Sequence, residues 1–309
     1  MHDLHELLDP MKNPVTYAVP FFLITVGIEL AALKWLDRDE VPRTLHGEKV
    51  TGYDARDART SMGMGLISLA FSLALKVGSF LVYVVVFDRL APWALPTDTW
   101  WYWVLLVAGV DLAFYASHRF VHRVNVGWAA HQAHHSSEYM NFATALRQKW
   151  NPWFEFVFWL PLPFLGFAPW TIYVAFGFNL IYQFFTHTEM IGKLPRPIEF
   201  VMNTPSHHRV HHGSDPEYLD KNYAGILIVW DRMFGSFVEE KKKPTYGLTK
   251  PVGTYNMIKL QYGDYAQIIR NVKAAGSFRD RLGYLFGPPG WEPPGRPSDP
   301  DLQPIRPAA

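Results

Sequence analysis

Residues 118–135 read HRFVHRVNVGWAAHQAHH, and five of these positions are histidine. His118 and His122 stand four apart, while His131, His134 and His135 stand at i, i+3 and i+4. On an α-helix such positions share a face, with Cβ atoms about 5–6 Å apart. Each group can therefore aim its imidazoles at one point. The pattern returns at residues 208–212, HRVHH, with His208, His211 and His212, and His187 ends an apolar run between the two. A lone helical histidine needs no explanation beyond packing, but three groups at ligand spacing predict helices built around metal. These nine rings exceed the roughly four ligands that one zinc ion takes, so two ions with four or five ligands each are expected. Neutral imidazole suits iron, zinc or copper. His207 points roughly 100° away from His208 on a helix and is expected to act as a proton donor, spare ligand or support.

Composition narrows the chemistry. The 309 residues include no cysteine, which removes disulfides, thiolate ligands and cysteine nucleophiles. A formal charge of +1 argues against nucleic acid, whose phosphates require a concentrated basic surface. Aromatic residues make up 16% of the chain, with 12 Trp, a bias that fits a membrane–water interface. The mean hydropathy is close to zero, but it averages long apolar runs with charged loops.

Three of those runs, Tyr17 to Trp35, Met62 to Phe87 and Thr99 to Ser117, approach or exceed the roughly 20 residues a helix needs to cross a bilayer. Lys76 and Asp111 interrupt the second and third, and a charge in such a span is costly and often functional. A fourth apolar region, Trp153 to Phe185, is broken by Pro161, Pro163, Gly166 and Pro169 and reads as a helical hairpin. The loop from Asp37 to Ser61 carries five Lys or Arg, against Arg89 alone between Asp88 and Asp98. The positive-inside rule then places the first loop, and with it every clustered histidine, in the cytoplasm. The fold expected is an all-α integral membrane protein, about four transmembrane helices under a cytosolic cap, with the C-terminus cytoplasmic. The inner membrane of a bacterium or the endoplasmic reticulum of a eukaryote would hold it. The acidic N-terminus MHDLHELLDPMKNP does not read as a cleavable signal. Beyond Gly192, AGILIVW (224–230) and GSFVEE (235–240) predict a short strand pair turning at Asp231 and Arg232. A helix is expected from Gly263 to Ala275, and the Pro- and Gly-rich tail reads as irregular. Residues 1–61, 62–262 and 263–309 form the expected N-terminal segment, membrane and metal domain, and C-terminal region.

The histidine patterns, with GWAAHQAHHSSEYMNFATALRQ (127–148), NLIYQFFTHTEMIG (179–192), NTPSHHRVHHGSDPEYLDKNYAGILIVWDRMFGSFVEE (203–240) and YGLTKPVGTYN (246–256), resemble the fatty acid hydroxylase/sterol desaturase superfamily of membrane di-iron enzymes. The likeness runs from about Thr99 to Pro294. It implies two iron ions held by His118, His122, His131, His134, His135, His187, His208, His211 and His212. Those ions would activate O₂ against a C–H bond of a membrane lipid, with electrons from an external reductant such as tetrahydrobiopterin or a redox protein. Asp111 and Glu189 would accept imidazole N–H bonds and orient rings, and Asn179 or Gln183 could reach metal through water. Asp215, Asn222 and Asp231 recur in the resemblance, where turn or capping roles fit them. The flanking stretches lean toward the ether-lipid (alkylglycerol) cleaving branch, which places Glu where this chain has Arg123. Fatty-acid, sterol or carotenoid hydroxylases and desaturases are the alternative, and a metal transporter a remote one, since its histidines would lie inside the spans.

Overall fold

The computed structural model describes residues 14–35 and 52–294. Among them the chain is helical throughout, with isolated bridges and no strand. The helices are α1 (Pro14–Trp35), α2 (Ala55–Leu90), α3 (Trp100–Arg123), α4 (Asn125–His135), α5 (Phe142–Ala145), α6 (Pro161–Phe164), α7 (Pro169–Thr186), α8 (Arg196–Val201), α9 (Pro205–His211), α10 (Val229–Met233), α11 (Met257–Ala274) and α12 (Phe278–Phe286).

Helix α2 begins where Asp54 accepts the backbone N–H groups of Arg56 (2.8 Å) and Asp57 (2.9 Å), satisfying donors that an uncapped helix leaves orphaned. Its 36 residues extend about 54 Å. The face turned away from the protein carries Leu66, Leu69, Leu73, Leu81 and Val85, all exposed. An apolar surface of that extent marks a membrane or protein contact. Helices α2 and α3 both have the length and composition to cross a membrane. Helix α7 ties the bundle together: Thr171 meets Tyr102 of α3 at 2.6 Å, and Tyr173 meets Ser79 of α2 at 2.6 Å. Its Phe184 stacks on Phe22 of α1, with centroids 4.0 Å apart. Beneath the histidines lies a core of Tyr83, Tyr102, Leu106, Val110, Trp159, Leu162 and Ile172. Lys76 lies half-buried with its ammonium 5.4 Å from the Tyr173 ring centroid.

The structure departs from the sequence reading in three places. The first arm of the expected hairpin is a 3₁₀ turn (Glu155–Trp159) and the four-residue α6. Pro161, Pro163 and Pro169 stop any longer helix, and the chain reverses at Gly166, whose φ is +90°. A Cβ there would stand 2.6 Å from the Trp93 carbonyl. The strand pair at 224–240 does not form, because two carboxylates have captured the donors a ladder would use. Asp231 accepts the N–H groups of Tyr223 and Ala224, both at 2.8 Å, and Asp111 accepts those of Ile226 (2.7 Å) and Leu227 (2.9 Å). Residues 229–233 turn helical instead. Helix α11 starts six residues earlier than Gly263, at Met257, capped by Asn256. The described part of the tail packs: Trp291 stands edge-on to Tyr284 at 5.3 Å. Arg38, Arg43 and Lys49 of the orientation argument lie outside the described residues.

Candidate metal centre

All nine histidines lie within four contiguous pieces of structure and are buried. They fall into two groups whose ring nitrogens lie within 4.8 Å of one another: His118, His122, His131, His135 and His211, and His134, His187, His208 and His212. Helix α3 supplies the first two rings and α4 the next three. His187 follows the last turn of α7, while α9 and its C-cap supply His208, His211 and His212. Two HH doublets divide between the groups. His134 and His135 go separate ways, as do His211 and His212, because neighbouring helical positions point about 100° apart. Such a doublet therefore serves both groups from one helix.

The rings are oriented by backbone carbonyls. Nδ1 of His118 bonds the Tyr223 carbonyl at 2.8 Å, His134 that of Arg147 at 3.1 Å, His187 that of Gln183 at 2.7 Å, and His211 that of Lys221 at 3.0 Å. A carbonyl only accepts, so these four rings carry their proton on Nδ1 and present a bare Nε2 inward. Nε2 of His187 lies 3.3 Å from Nε2 of His134 and 2.9 Å from Nε2 of His208, and the His118 and His131 nitrogens approach to 3.0 Å. In the His134–His187 pair neither facing nitrogen holds a proton, so two lone pairs confront each other. A cation resolves that repulsion. Two nitrogens at about 2.0–2.1 Å from one ion stand roughly 3 Å apart when their bonds meet at a right angle, which is the spacing found. Burial, foremost, holds His131, His134, His135, His208 and His212 well below their ordinary pKa and His187 at about 4. They are neutral at physiological pH, the form that ligates. The residues present fit a pair of metal ions.

The carboxylates and amides expected beside the rings are placed elsewhere. Asp111 is fully buried and accepts from Ile226, Leu227, Trp230 Nε1 (2.9 Å) and Asn179 Nδ2 (2.7 Å). It locks the 223–230 loop, and so the Tyr223 carbonyl, against α3 and α7. Asn179 in turn accepts from Gln183. Glu189 accepts from Tyr246 at 2.9 Å and pairs with Lys243 at 3.0 Å. His207 sits outside both groups, its Nε2 2.9 Å from Glu199. Burial and the neighbouring Arg232 outweigh that carboxylate and lower His207 to about 4, so a neutral ring donates Nε2–H. Asp215 accepts the Thr245 N–H at 2.6 Å, and Asn222 bridges the His207 carbonyl and Val238.

Three supports escaped the sequence reading. The orienting carbonyls have no side-chain signature and could not be found there. Asp220, at φ +58°, brings its carboxylate 3.5 Å from His122 Nδ1 and 3.6 Å from Arg123. Glu29 is buried in α1 and accepts from Phe142 N (2.8 Å), Tyr53 (2.5 Å) and Thr188 (2.5 Å), the residue after His187. An acid in an apolar span was the available signal for Glu29.

Residues 103–236, which contain all nine histidines, match the model of the fatty acid hydroxylase family. It is 39% identical to the alkylglycerol monooxygenase of Danio rerio over 96% of this chain and 64% of that protein. It is 39% identical to the Homo sapiens protein of the same name, over 93% and 62% of the two chains. The Xenopus tropicalis counterpart is 43% identical over 77% and 53%. The chain thus spans less than two thirds of the length of these relatives. No solved structure matches it.

Proposed function

We propose that this protein is a membrane-bound, O₂-dependent lipid monooxygenase of the alkylglycerol-cleaving kind, with one iron ion in each histidine group. The division of nine buried rings into sets of five and four carries this reading. The family match and the names of the relatives supply the substrate class. Iron pairs bound there would supply the redox chemistry that lets O₂ attack an unactivated C–H bond. The chain's own part is to hold the rings in one tautomer through the Tyr223, Arg147, Gln183 and Lys221 carbonyls, and to exclude water around them. The exposed apolar faces of α2 and α3 would bring a lipid chain to the centre while its headgroup stays at a cytosolic cap. Four helices, α1, α2, α3 and α7, would form the membrane stem. Hydroxylation of the carbon beside an ether oxygen gives a hemiacetal, which falls apart into an aldehyde and an alcohol. One oxygen atom enters the lipid and the other leaves as water, using two electrons from an external reductant, a tetrahydropterin or a separate redox protein.

The test is an alkylglycerol cleavage assay on protein reconstituted anaerobically with Fe(II), with and without tetrahydrobiopterin, in wild type and Arg123→Glu. Aldehyde release by the wild type supports the reading. Hydroxylated or desaturated lipid without aldehyde would move the substrate to the fatty-acid, sterol or carotenoid class. Iron binding well short of two ions per chain would overturn the centre itself.

A further inference from the structure

Between His187 and α9 the chain runs IGKLPRPIEFV (191–201). Its Ile191, Leu194, Ile198, Phe200 and Val201 are exposed, Phe200 by 61%. At the end of α10, Met233 and Phe234 are exposed by 69% and 50%. The two patches are joined by Arg232, whose guanidinium donates to the carbonyls of Phe200 (3.1 Å) and Glu199 (3.2 Å) and lies over the Phe200 and Phe237 rings. A cap facing water has no use for such a surface.

Its height on the bundle identifies what covers it. Met202 bridges to Leu227, whose N–H is held by Asp111, and Tyr182 of α7 donates to the Asn203 carbonyl. The Phe234 ring stacks on Tyr115 of α3, with centroids 5.4 Å apart. Asp111 precedes His118 by seven residues, so it lies about 10 Å further from the metal-ligand end of α3. The patch therefore flanks α3 and α7 from the level of Arg119, whose Nη1 donates to the Phe234 carbonyl (3.2 Å), down to that of Asp111. At this height those helices themselves expose Leu112, Phe178 and Phe185. The apolar surface is thus continuous with a helix that has the length and composition of a membrane span.

We propose that residues 191–201 and the tip of α10 are a non-spanning wedge seated in the bilayer, with Ile198, Phe200, Val201, Met233 and Phe234 in the acyl region. Lys193, which pairs with Glu239 at 2.8 Å, and Arg196 lie at the headgroups. Amphipathic segments with basic residues beside apolar ones bind in this way, and long basic side chains reach back toward water. The wedge adds a lipid contact on the opposite side of the 223–230 loop from the metal centre. It fixes how deep the nine histidines stand in the membrane.

The absence of cysteine makes single labels unambiguous. Ile198→Cys, Phe200→Cys and Met233→Cys would each carry an environment-sensitive fluorophore. Leu73→Cys on α2 and Lys241→Cys on the cap serve as references. The proteins are placed in phosphatidylcholine vesicles containing phosphatidylglycerol and challenged with a nitroxide lipid or aqueous iodide. The expected result is that the nitroxide lipid reduces emission at 198, 200 and 233 by about half or more, as at Leu73, with iodide acting only at Lys241. Labels at 198, 200 and 233 that behave like Lys241, or that are shielded from both quenchers as under a second copy, would overturn the proposal. If Leu73 also resists the lipid quencher, the membrane reading fails as a whole, whereas quenching at Leu73 alone sinks only the wedge. Any variant that loses its iron is replaced by Val201→Cys.

Discussion

Arg147 shows how much of the centre is built by residues that never face it. Its side chain is 2% exposed and its Nη2 lies 2.5 Å from Asp57, while Nε donates to Ser61 (3.0 Å) and Nη1 to Ser136 (2.9 Å). The backbone carbonyl of the same residue fixes the His134 tautomer. Removing one member of a buried pair leaves an uncompensated charge and costs about 3–5 kcal/mol. Arg147→Met is therefore expected to lower stability by that amount and to weaken iron retention at the four-histidine group. Unfolding in detergent and iron content measure the two effects, and unchanged iron affinity would sever the link to His134. Gly225 is a second such position: a Cβ there would stand 2.7 Å from Asp111 and 2.8 Å from Asn179. Gly225→Ala should cost about 1–3 kcal/mol, the usual range for overpacking, and a neutral thermal shift would refute it. The gathering of the nine histidines was legible because covalent spacing on a helix decides where a ring points. Arg147, Asp57 and the carbonyls were not, because their partners are distant in sequence and joined only by the tertiary fold.

At the scale of elements, helix periodicity was readable and the 224–240 segment was not. AGILIVW has strand composition, but strand preference holds only where a neighbouring strand accepts its N–H groups. Here Asp231, within the segment, and Asp111 accept them instead, and no local pattern reveals Asp111, which lies more than a hundred residues away. Asp231 carries a pH signature of this arrangement. Burial pushes it up from 3.8 to about 6, against hydrogen bonds from Ser236, Tyr223 and Ala224. Between those two values the folded chain keeps a proton that the unfolded chain has released, so the folded state binds more protons there. The contribution of this group is then full below the ordinary value and declines as pH rises through about 6. Asp231→Asn does not titrate. The stability of wild type relative to that variant should fall as pH rises across this window and level off above it. Thermal unfolding of both proteins over the same pH series reads this directly, and a difference that grows with pH would contradict it.

For the whole molecule, the nine rings come from α3, α4, the end of α7 and α9, so whatever sits between them joins these four pieces of chain to one another. An ion that binds the folded chain alone stabilises it by RT ln(1 + [L]/Kd), about 2.7 kcal/mol at a hundredfold excess over Kd. Chelation of reconstituted protein should therefore lower its unfolding temperature, and Fe(II) should restore it. The splitting of the His211–His212 doublet makes a sharper test, because these adjacent residues fall in different groups. His211→Ala should weaken the five-histidine group and His212→Ala the four-histidine group, taking iron content from about two toward about one per chain in either case. The double variant should approach none. If the groups instead shared a single ion, each single substitution would remove all of the metal, and anaerobic iron analysis of the three variants separates the two arrangements without any measurement of turnover.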